Sequence, residues 1–467
     1  MWNFDKYKNN IAVITESGEQ VTYAEFSQHC AELTTNIMSR CLVFNLCRNV
    51  IGSLVGYVGF LNNNIVPLML KSDLDEQLLQ NLVITYKPDF LYIPSDMKEC
   101  FSDCSLVYEK LNYTLLKTSY DRVYPLNNDL ALLLTTSGST GSPKLVRQSY
   151  QNIEANTKSI VQYLELTDTE RAITTLPMNY TYGISIINTH LWVGASLILT
   201  EKGLMQKEFW QHFKEFGATS FGGVPYTYEM LNRLRFEQMD LPSLRYVTQA
   251  GGKLSPDLHE KFARWAITVN KKFIVMYGQT EATARMSYLP AEKALEKYGS
   301  MGIAIPDGKF SLIDVAGNEI MQPDTVGELV YTGKNVTLGY AECGEDLVKG
   351  DERKGRLETG DMAKFDDDGF FYIVGRKKRF LKIFGNRVNL DETDQLLKSE
   401  FPDCDFACSG VDDKMFVFIT NKSKKNEVLM FLTEKFKFNA IAFKITFIEK
   451  IPRNESGKVL YKDLPVD

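Results

Sequence analysis

At 467 residues, the chain is long enough for two or three domains with a sizeable core. Its 44% apolar and 24% charged residues are ordinary globular composition, and a net charge of −6 disfavours a general nucleic-acid or membrane-surface role. The charge is uneven: from Val374 onward 18 Lys and Arg stand against 14 Asp and Glu, while the remainder carries 35 against 45. A slightly basic C-terminal piece on an acidic body points to an anionic partner for that piece alone.

The eight cysteines form no CxxC pair and there are only four histidines, so no zinc pattern is present. Reduced, partly buried thiols in a reducing compartment are expected. The N-terminus, MWNFDKYKNN, is too charged for a signal peptide, and the best apolar run, Val50 to Phe60, is far short of a membrane span. A cytoplasmic protein with no membrane insertion is expected.

No internal repeat or low-complexity tract occurs. In chain order, residues 22–40 read as an amphipathic helix opened by Thr22, and Asp129 to Thr135 as a strand running into a Gly/Ser loop. Residues 150–166 place Tyr150, Ile153, Thr157, Ile160, Val161 and Leu164 on one face of a helix capped by Ser149. Strand-like and helix-like segments then alternate: strands at 172–176, 197–200, 220–224, 246–249 and 273–276, helices at 183–192, 206–216, 226–235 and 256–265. That alternation predicts parallel βαβ layers. After Gly302 short strands and turns dominate, at 309–314, 327–332, 363–366 and 370–374. A domain boundary is placed near Gly375–Lys378, with a small α+β domain beyond it.

The loop TTSGSTGSPK, Thr135 to Lys144, combines hydroxyls, glycines and a lysine. Such a loop can direct N–H groups and hydroxyls at phosphate oxygens, with close backbone approach at glycine and a point charge from lysine. It is not a Walker A loop, because no GK[ST] follows Gly138 at the required place. Taken alone, it is ambiguous, and a flexible surface turn is the more ordinary reading.

Four further stretches follow in order: MYGQTEA (276–282), GELVYTGKNVTLGY (327–340), LETGDMAKFDDDGFFYIVGRKKRFLKIFGNRV (357–388) and IPRNESGKVLYKDL (451–464). With the loop, these resemble the ordered motifs of the AMP-forming adenylating superfamily, which includes acyl- and aryl-CoA synthetases, non-ribosomal peptide synthetase adenylation domains and luciferase. The resemblance spans essentially the whole chain. It implies an α/β fold with a large N-terminal domain of βαβ-layered subdomains, residues 1–375, and a small mobile α+β C-terminal lid, residues 376–467. It also implies two half-reactions. A carboxylate attacks the α-phosphate of ATP, giving acyl-AMP and pyrophosphate. A thiol, from coenzyme A or a carrier's phosphopantetheine, then displaces AMP.

The roles implied by the resemblance are these. Thr136, Ser137, Gly138, Ser139, Thr140, Gly141 and Lys144 hold the β- and γ-phosphates. Tyr277, with Gly251, Gly252, Gly278 and Gln279 around it, stacks on adenine. Thr280 bonds the α-phosphate, and Glu281 holds Mg²⁺. Asp361 accepts the ribose hydroxyls and Arg376 also reaches the ribose. Lys458 is the adenylation lysine, brought by the lid to stabilise developing charge. Lys378 falls at the hinge, where most relatives have Asp and some have Lys. Lys382 and Gly385 line the thiol tunnel after the lid rotates.

The acid pocket is assigned to Asn179, Tyr180, Thr181, Gly183 and Gly252, around the segment LPMNYTYGISIINTHLWVG (176–194). Relatives that activate amino acids usually carry an aspartate there, and many acyl- and aryl-activating relatives carry His where Tyr180 falls. This chain matches neither. The missing acid argues against an ammonium-bearing substrate, because a buried ammonium needs a partner. An acyl or aryl acid with an uncharged tail is expected, and His190 reads as a packed core residue. Tyr150 stands where relatives often have His, the N-terminal region is shorter than in most relatives, and no carrier-protein segment is present, so the acceptor is expected in trans. Two alternatives stay open: a stand-alone amino-acid adenylation enzyme that loads a carrier protein, and a non-catalytic nucleotide-binding relative. The intact Lys144, Glu281, Asp361, Arg376 and Lys458 oppose the second.

Overall fold

A computed structural model describes residues 1–135, 144–384, 386–453, 457 and 459–465, with the backbone alone at 378 and 387. The fold is mixed α/β, as expected. The chain forms two compact units: Met1–Lys309 with Tyr331–Leu357, and Phe310–Val330 with Glu358–Asp467.

The first unit holds two large sheets. In one, nine strands lie in the order Ile303–Ala304, Ser287–Tyr288, Lys272–Tyr277, Tyr246–Gln249, Ser220–Gly223, Arg171–Ile173, Ser196–Ile198, Ile11–Ile14 and Gln20–Thr22. From Lys272–Tyr277 to Ile11–Ile14 the neighbours run parallel, and antiparallel strands close both edges. The other sheet has eight strands, with Leu130–Thr135, Val66–Lys71, Leu42–Cys47 and Phe90–Pro94 as its parallel centre. Those central strands are apolar almost without alternation and buried at nearly every residue. That pattern belongs to a parallel sheet covered on both faces. The parallel layering expected from the alternation is therefore present.

Local sequence explains the helices that matter. Ser149 Oγ accepts from Asn152 N at 3.1 Å and Asn152 Oδ1 accepts from Ser149 N at 2.9 Å, so the helix Tyr150–Leu164 opens with a reciprocal cap. Thr22 and Glu25 cap Tyr23–Thr34 in the same way. That helix is shorter than the expected 22–40. The Thr35 hydroxyl and the Asn36 amide both turn back onto the Glu32 carbonyl, ending it, and Arg40 leaves to bond the Asn64 and Leu130 carbonyls. The apolar run around Val50–Phe60 is a core helix, Ile51–Asn62, buried on nearly all sides. No described helix is long and apolar enough to cross a membrane. All eight cysteines are free thiols.

A four-stranded sheet, most of whose residues fall in the second unit, orders as Lys309–Ile313, Gly327–Thr332, Arg356–Phe365 and Phe371–Arg376. A hairpin, Phe380–Ile383 with Asn386–Asn389, follows. The remainder packs the helices Leu390–Glu400 and Lys425–Phe436 around a three-stranded sheet with Ile383, Leu397, Cys408, Val417 and Val428 in its core. The strand expected at 363–366 is the end of the longer Arg356–Phe365.

Candidate active site

The strand Lys272–Tyr277 delivers the MYGQTEA stretch to one end of the first unit's nine-stranded sheet. Gly278 follows, where an added Cβ would lie 1.7 Å from the Ala284 carbonyl oxygen, so the tight turn admits no side chain. A short 3-10 turn, Thr280–Ala282, presents Glu281. Tyr277 is half-buried and its hydroxyl accepts from Gln279 Nε2 at 3.1 Å.

Glu281 is fixed at both backbone and side chain. Its carbonyl accepts from Thr337 N at 3.0 Å, Thr337 Oγ1 at 2.9 Å and Arg353 Nη1 at 2.9 Å. Its Oε1 accepts from the Tyr340 hydroxyl at 2.7 Å. Burial, with the Glu281 charge beside it, pushes the Tyr340 phenol up to about 12, so it stays a neutral donor. The Tyr340 ring carries two cations: Lys144 Nζ at 3.8 Å and the Arg353 guanidinium carbon at 4.6 Å from its centroid. Lys144 also lies 3.3 Å from Glu342 Oε1. Lys144 and Glu281, 137 positions apart, thus meet through one aromatic ring.

The ring is itself held in place. Arg147 is fully buried and its Nε donates to the Tyr340 carbonyl at 2.9 Å, while its Nη2 reaches Glu352 at 2.5 Å. Sequence reasoning missed Thr337, Tyr340, Arg353 and Arg147 as site residues. Tyr340 closes the GELVYTGKNVTLGY stretch and Arg147 follows the phosphate loop, so their places in those motifs were the available signal. The partners of Arg147 lie about 190 to 205 positions away and no local pattern announces them.

The helix Thr181–Val193 starts beside this turn. The Thr181 hydroxyl donates to the Thr283 carbonyl, two residues past Glu281. Tyr180 precedes the helix, and burial pushes its phenol up to about 12. Gly251 has φ +83°, and a Cβ there would lie 2.6 Å from the Tyr180 hydroxyl. Gly183 packs equally tightly, its Cβ position 2.4 Å from the Pro177 carbonyl. The Gly252 carbonyl accepts from Gln249 Nε2 at 2.9 Å. Asn179 Oδ1 is buried with no hydrogen-bond partner. The structure therefore brings Asn179 to Gly183 and Gly251 together, next to the Glu281 turn. His190 is buried in the helix with Nδ1 2.8 Å from the Ile186 carbonyl, and burial pulls it down to about 4. Tyr150 packs against the core of the first unit.

In the second unit, Asp361 and Arg376 face each other across paired strands. Asp361 is buried and its Oδ1 lies 2.7 Å from Arg376 Nε. Lys378 lies in the 3-10 turn Lys377–Arg379, with its side chain outside the description. Lys382 is exposed on the Phe380–Ile383 hairpin strand, opposite Arg387 in register. Near the C-terminus Arg453 grips Asp405 with Nη2, at 2.8 and 2.7 Å, and donates from Nη1 to the Gly457 carbonyl at 2.9 Å. Thr136, Ser137, Gly138, Ser139, Thr140, Gly141, Gly385 and Lys458 lie outside the described residues.

Among the described residues no cluster of three or more His, Cys, Asp or Glu side chains could hold a metal by itself. A magnesium ion at Glu281 fits that setting, since Mg²⁺ is commonly held by one or two carboxylates together with substrate phosphates.

Residues 2–341 match the family model described as AMP-binding enzyme, and the chain belongs to that family. Among curated relatives it is similar to oxalate–CoA ligase of Saccharomyces cerevisiae, with 27% identity over 76% of this chain and 66% of that protein. It is also similar to peroxisomal OPC-8:0-CoA ligase 1 of Arabidopsis thaliana, with 29% identity over 72% of this chain and 64% of that protein. The match thus spans slightly under two thirds of the length of these relatives. In fold the chain is similar to o-succinylbenzoate CoA synthetase from Bacillus subtilis in complex with its acyl-adenylate intermediate. That match has a TM-score of 0.78 and 20% identity, covering 98% of this chain and 96% of that one.

Proposed function

We propose that the protein is an ATP-dependent carboxylic acid–thiol ligase. The acid's carboxylate oxygen attacks the α-phosphorus of ATP, the bond to the β-phosphate oxygen breaks, and pyrophosphate leaves. The thiol of coenzyme A or of a separate carrier's phosphopantetheine then attacks the acyl carbon and AMP departs. The observation that supports this most is the Lys144–Tyr340–Glu281 cluster abutting the Thr181 helix start, an arrangement that would set phosphate-binding chemistry beside a pocket for a small acid.

Phosphoryl chemistry of this kind needs charge neutralisation and alignment more than covalent help. Lys144 and the loop before it would hold the terminal phosphates. Tyr340 and the pinned backbone would aim the Glu281 carboxylate, which would hold Mg²⁺; the ion supplies charge neutralisation at the phosphates. Thr280 would bond the α-phosphate, and Tyr277 would stack on adenine. Asp361, poised by Arg376, would take the ribose hydroxyls. The segment from Arg376 would act as a lid that carries Lys458 to the reacting oxygens and, in a second orientation, presents Lys382 to the thiol.

The buried environment of Asn179 and Tyr180 contains no carboxylate supplied by the helix start, which supports a substrate without an α-ammonium group. Free thiols throughout support a reducing compartment such as the cytoplasm. Incubation with ATP, Mg²⁺, an accepted acid and coenzyme A should yield AMP, pyrophosphate and thioester in equal amounts. ADP and phosphate with no dependence on acid would contradict the reading.

A further inference from the structure

Arg285 is a cation that the scheme above does not use. It follows Glu281 by four residues and its side chain is only 2% exposed. One terminal nitrogen donates to the Tyr163 hydroxyl at 3.1 Å and lies 3.2 Å from the Met276 sulfur. The guanidinium carbon sits 5.0 Å from the Tyr182 ring centroid. Its Nε–H is buried with no acceptor. The ionisable groups acting on it most are the phenols of Tyr163, Tyr182 and Tyr246, and burial pushes each of these up, so they are neutral. Among the described residues no carboxylate forms an ion pair with it. A buried cation without a counter-charge is costly and calls for an anion.

A small cavity beside Arg285 is also lined by Thr189, His190, Ser220, Tyr246 and Thr248. The Tyr246 hydroxyl and His190 Nε2 are both buried with no hydrogen-bond partner. His190 Nδ1 faces the Ile186 carbonyl and so carries the proton, leaving Nε2 as an acceptor. Two unused donors, Arg285 Nε–H and Tyr246 O–H, match the two oxygens of a carboxylate, and His190 Nε2 matches a water or hydroxyl beside it.

Tyr182 links the cavity lining to the acid-pocket residues at the helix start. The Tyr182 hydroxyl lies 2.7 Å from Thr248 Oγ1, and its ring is 6.3 Å from that of Tyr180 at the helix start. Thr181, between those tyrosines, bonds Thr283, two residues before Arg285.

We propose that Arg285 is a specificity-determining residue that binds a second carboxylate at the far end of the activated acid, making the preferred substrate a dicarboxylic acid. This rests on the acid–thiol ligase reading and on the acid pocket at Tyr180–Tyr182. It replaces the uncharged tail expected from the sequence: the missing aspartate removes an ammonium partner, and Arg285 adds a charge that repels an ammonium and attracts a carboxylate.

The test compares matched pairs of acids, succinate to suberate and phthalate against butanoate to octanoate and benzoate, in pyrophosphate exchange and in calorimetric binding. For wild-type protein one diacid should exceed its monoacid partner on the order of 100-fold in kcat/KM. Arg285→Gln and Arg285→Met should erase that preference, chiefly through KM. Equal or higher efficiency with monoacids overturns the proposal while leaving the ligase reading intact, and it needs no variant to fold. If no acid supports exchange, the ligase reading falls and calorimetry decides the subsite. Binding of a diacid but not its monoacid partner to the wild type, lost in Arg285→Gln, supports it; no such binding overturns it.

Discussion

The Tyr340 hydroxyl donates a 2.7 Å hydrogen bond to Glu281 Oε1, so one end of the GELVYTGKNVTLGY stretch orients the carboxylate of the MYGQTEA stretch. Thr337 and Arg353 hold the Glu281 carbonyl on the same turn. Tyr340→Phe removes the donor to the carboxylate and keeps the ring that Lys144 and Arg353 contact. A hydrogen bond to a charged group contributes about 1.5 to 3 kcal/mol, so exchange should slow roughly 10- to 100-fold. Kinetics at varied Mg²⁺ check this, and an unchanged rate would remove Tyr340 from the site.

Gly278→Ala should be far more damaging. Its Cβ would meet the Ala284 carbonyl at 1.7 Å, and because that neighbour is backbone the turn bearing Glu281 must shift. Misplacement by about 1 Å costs on the order of 100-fold in rate. Gly350→Ala, where an added Cβ meets nothing within 4 Å, is the control expected to leave exchange and Tm unchanged. Equal exchange rates in the two variants would contradict the account.

Much of this was readable beforehand, and what was missed has a physical cause. Ser149 and Asn152 are neighbours in sequence, so their cap could be read from the chain. The parallel layers could be read from the alternation of apolar runs and amphipathic segments. The end of the first helix could not, because Thr35 and Asn36 stop it with side-chain bonds to Glu32 that compete with helix propensity. Arg353 was invisible as a site residue, and Arg147 was marked only by its place after the phosphate loop, because each acts through partners brought close only by the fold. Arg285 was not legible either: an arginine just past the Glu281 turn is unremarkable in sequence, and only its burial without a carboxylate gives it meaning.

Acid should destabilise the first unit through two histidines. Burial pulls His190 and His259 down to about 4 from an ordinary 6.5, so both are neutral when folded. The unfolded chain binds more protons between those values. Their contribution is therefore complete above about pH 6.5 and is lost as pH falls toward 4, by up to about 3 kcal/mol each. Tm should fall steadily over that window. His259→Gln should flatten the slope, and an identical slope in the variant would contradict the assignment.

Lys458 and Lys382 should separate the two half-reactions. Lys458→Ala should slow adenylate formation on the order of 100- to 1000-fold, yet leave thioester formation from supplied acyl-adenylate. Lys382→Ala, on the exposed hairpin, should do the reverse. Equal losses in both halves would contradict the proposed lid.

The central claim is that the protein activates a carboxylic acid with ATP. It is tested most directly by exchange of labelled pyrophosphate into ATP with Mg²⁺ and a panel of mono-, di-, aryl and amino acids, without any thiol. Label should enter ATP only when an accepted carboxylic acid is present. Absence of exchange with every acid, alongside conversion of ATP to ADP and phosphate, would contradict the account.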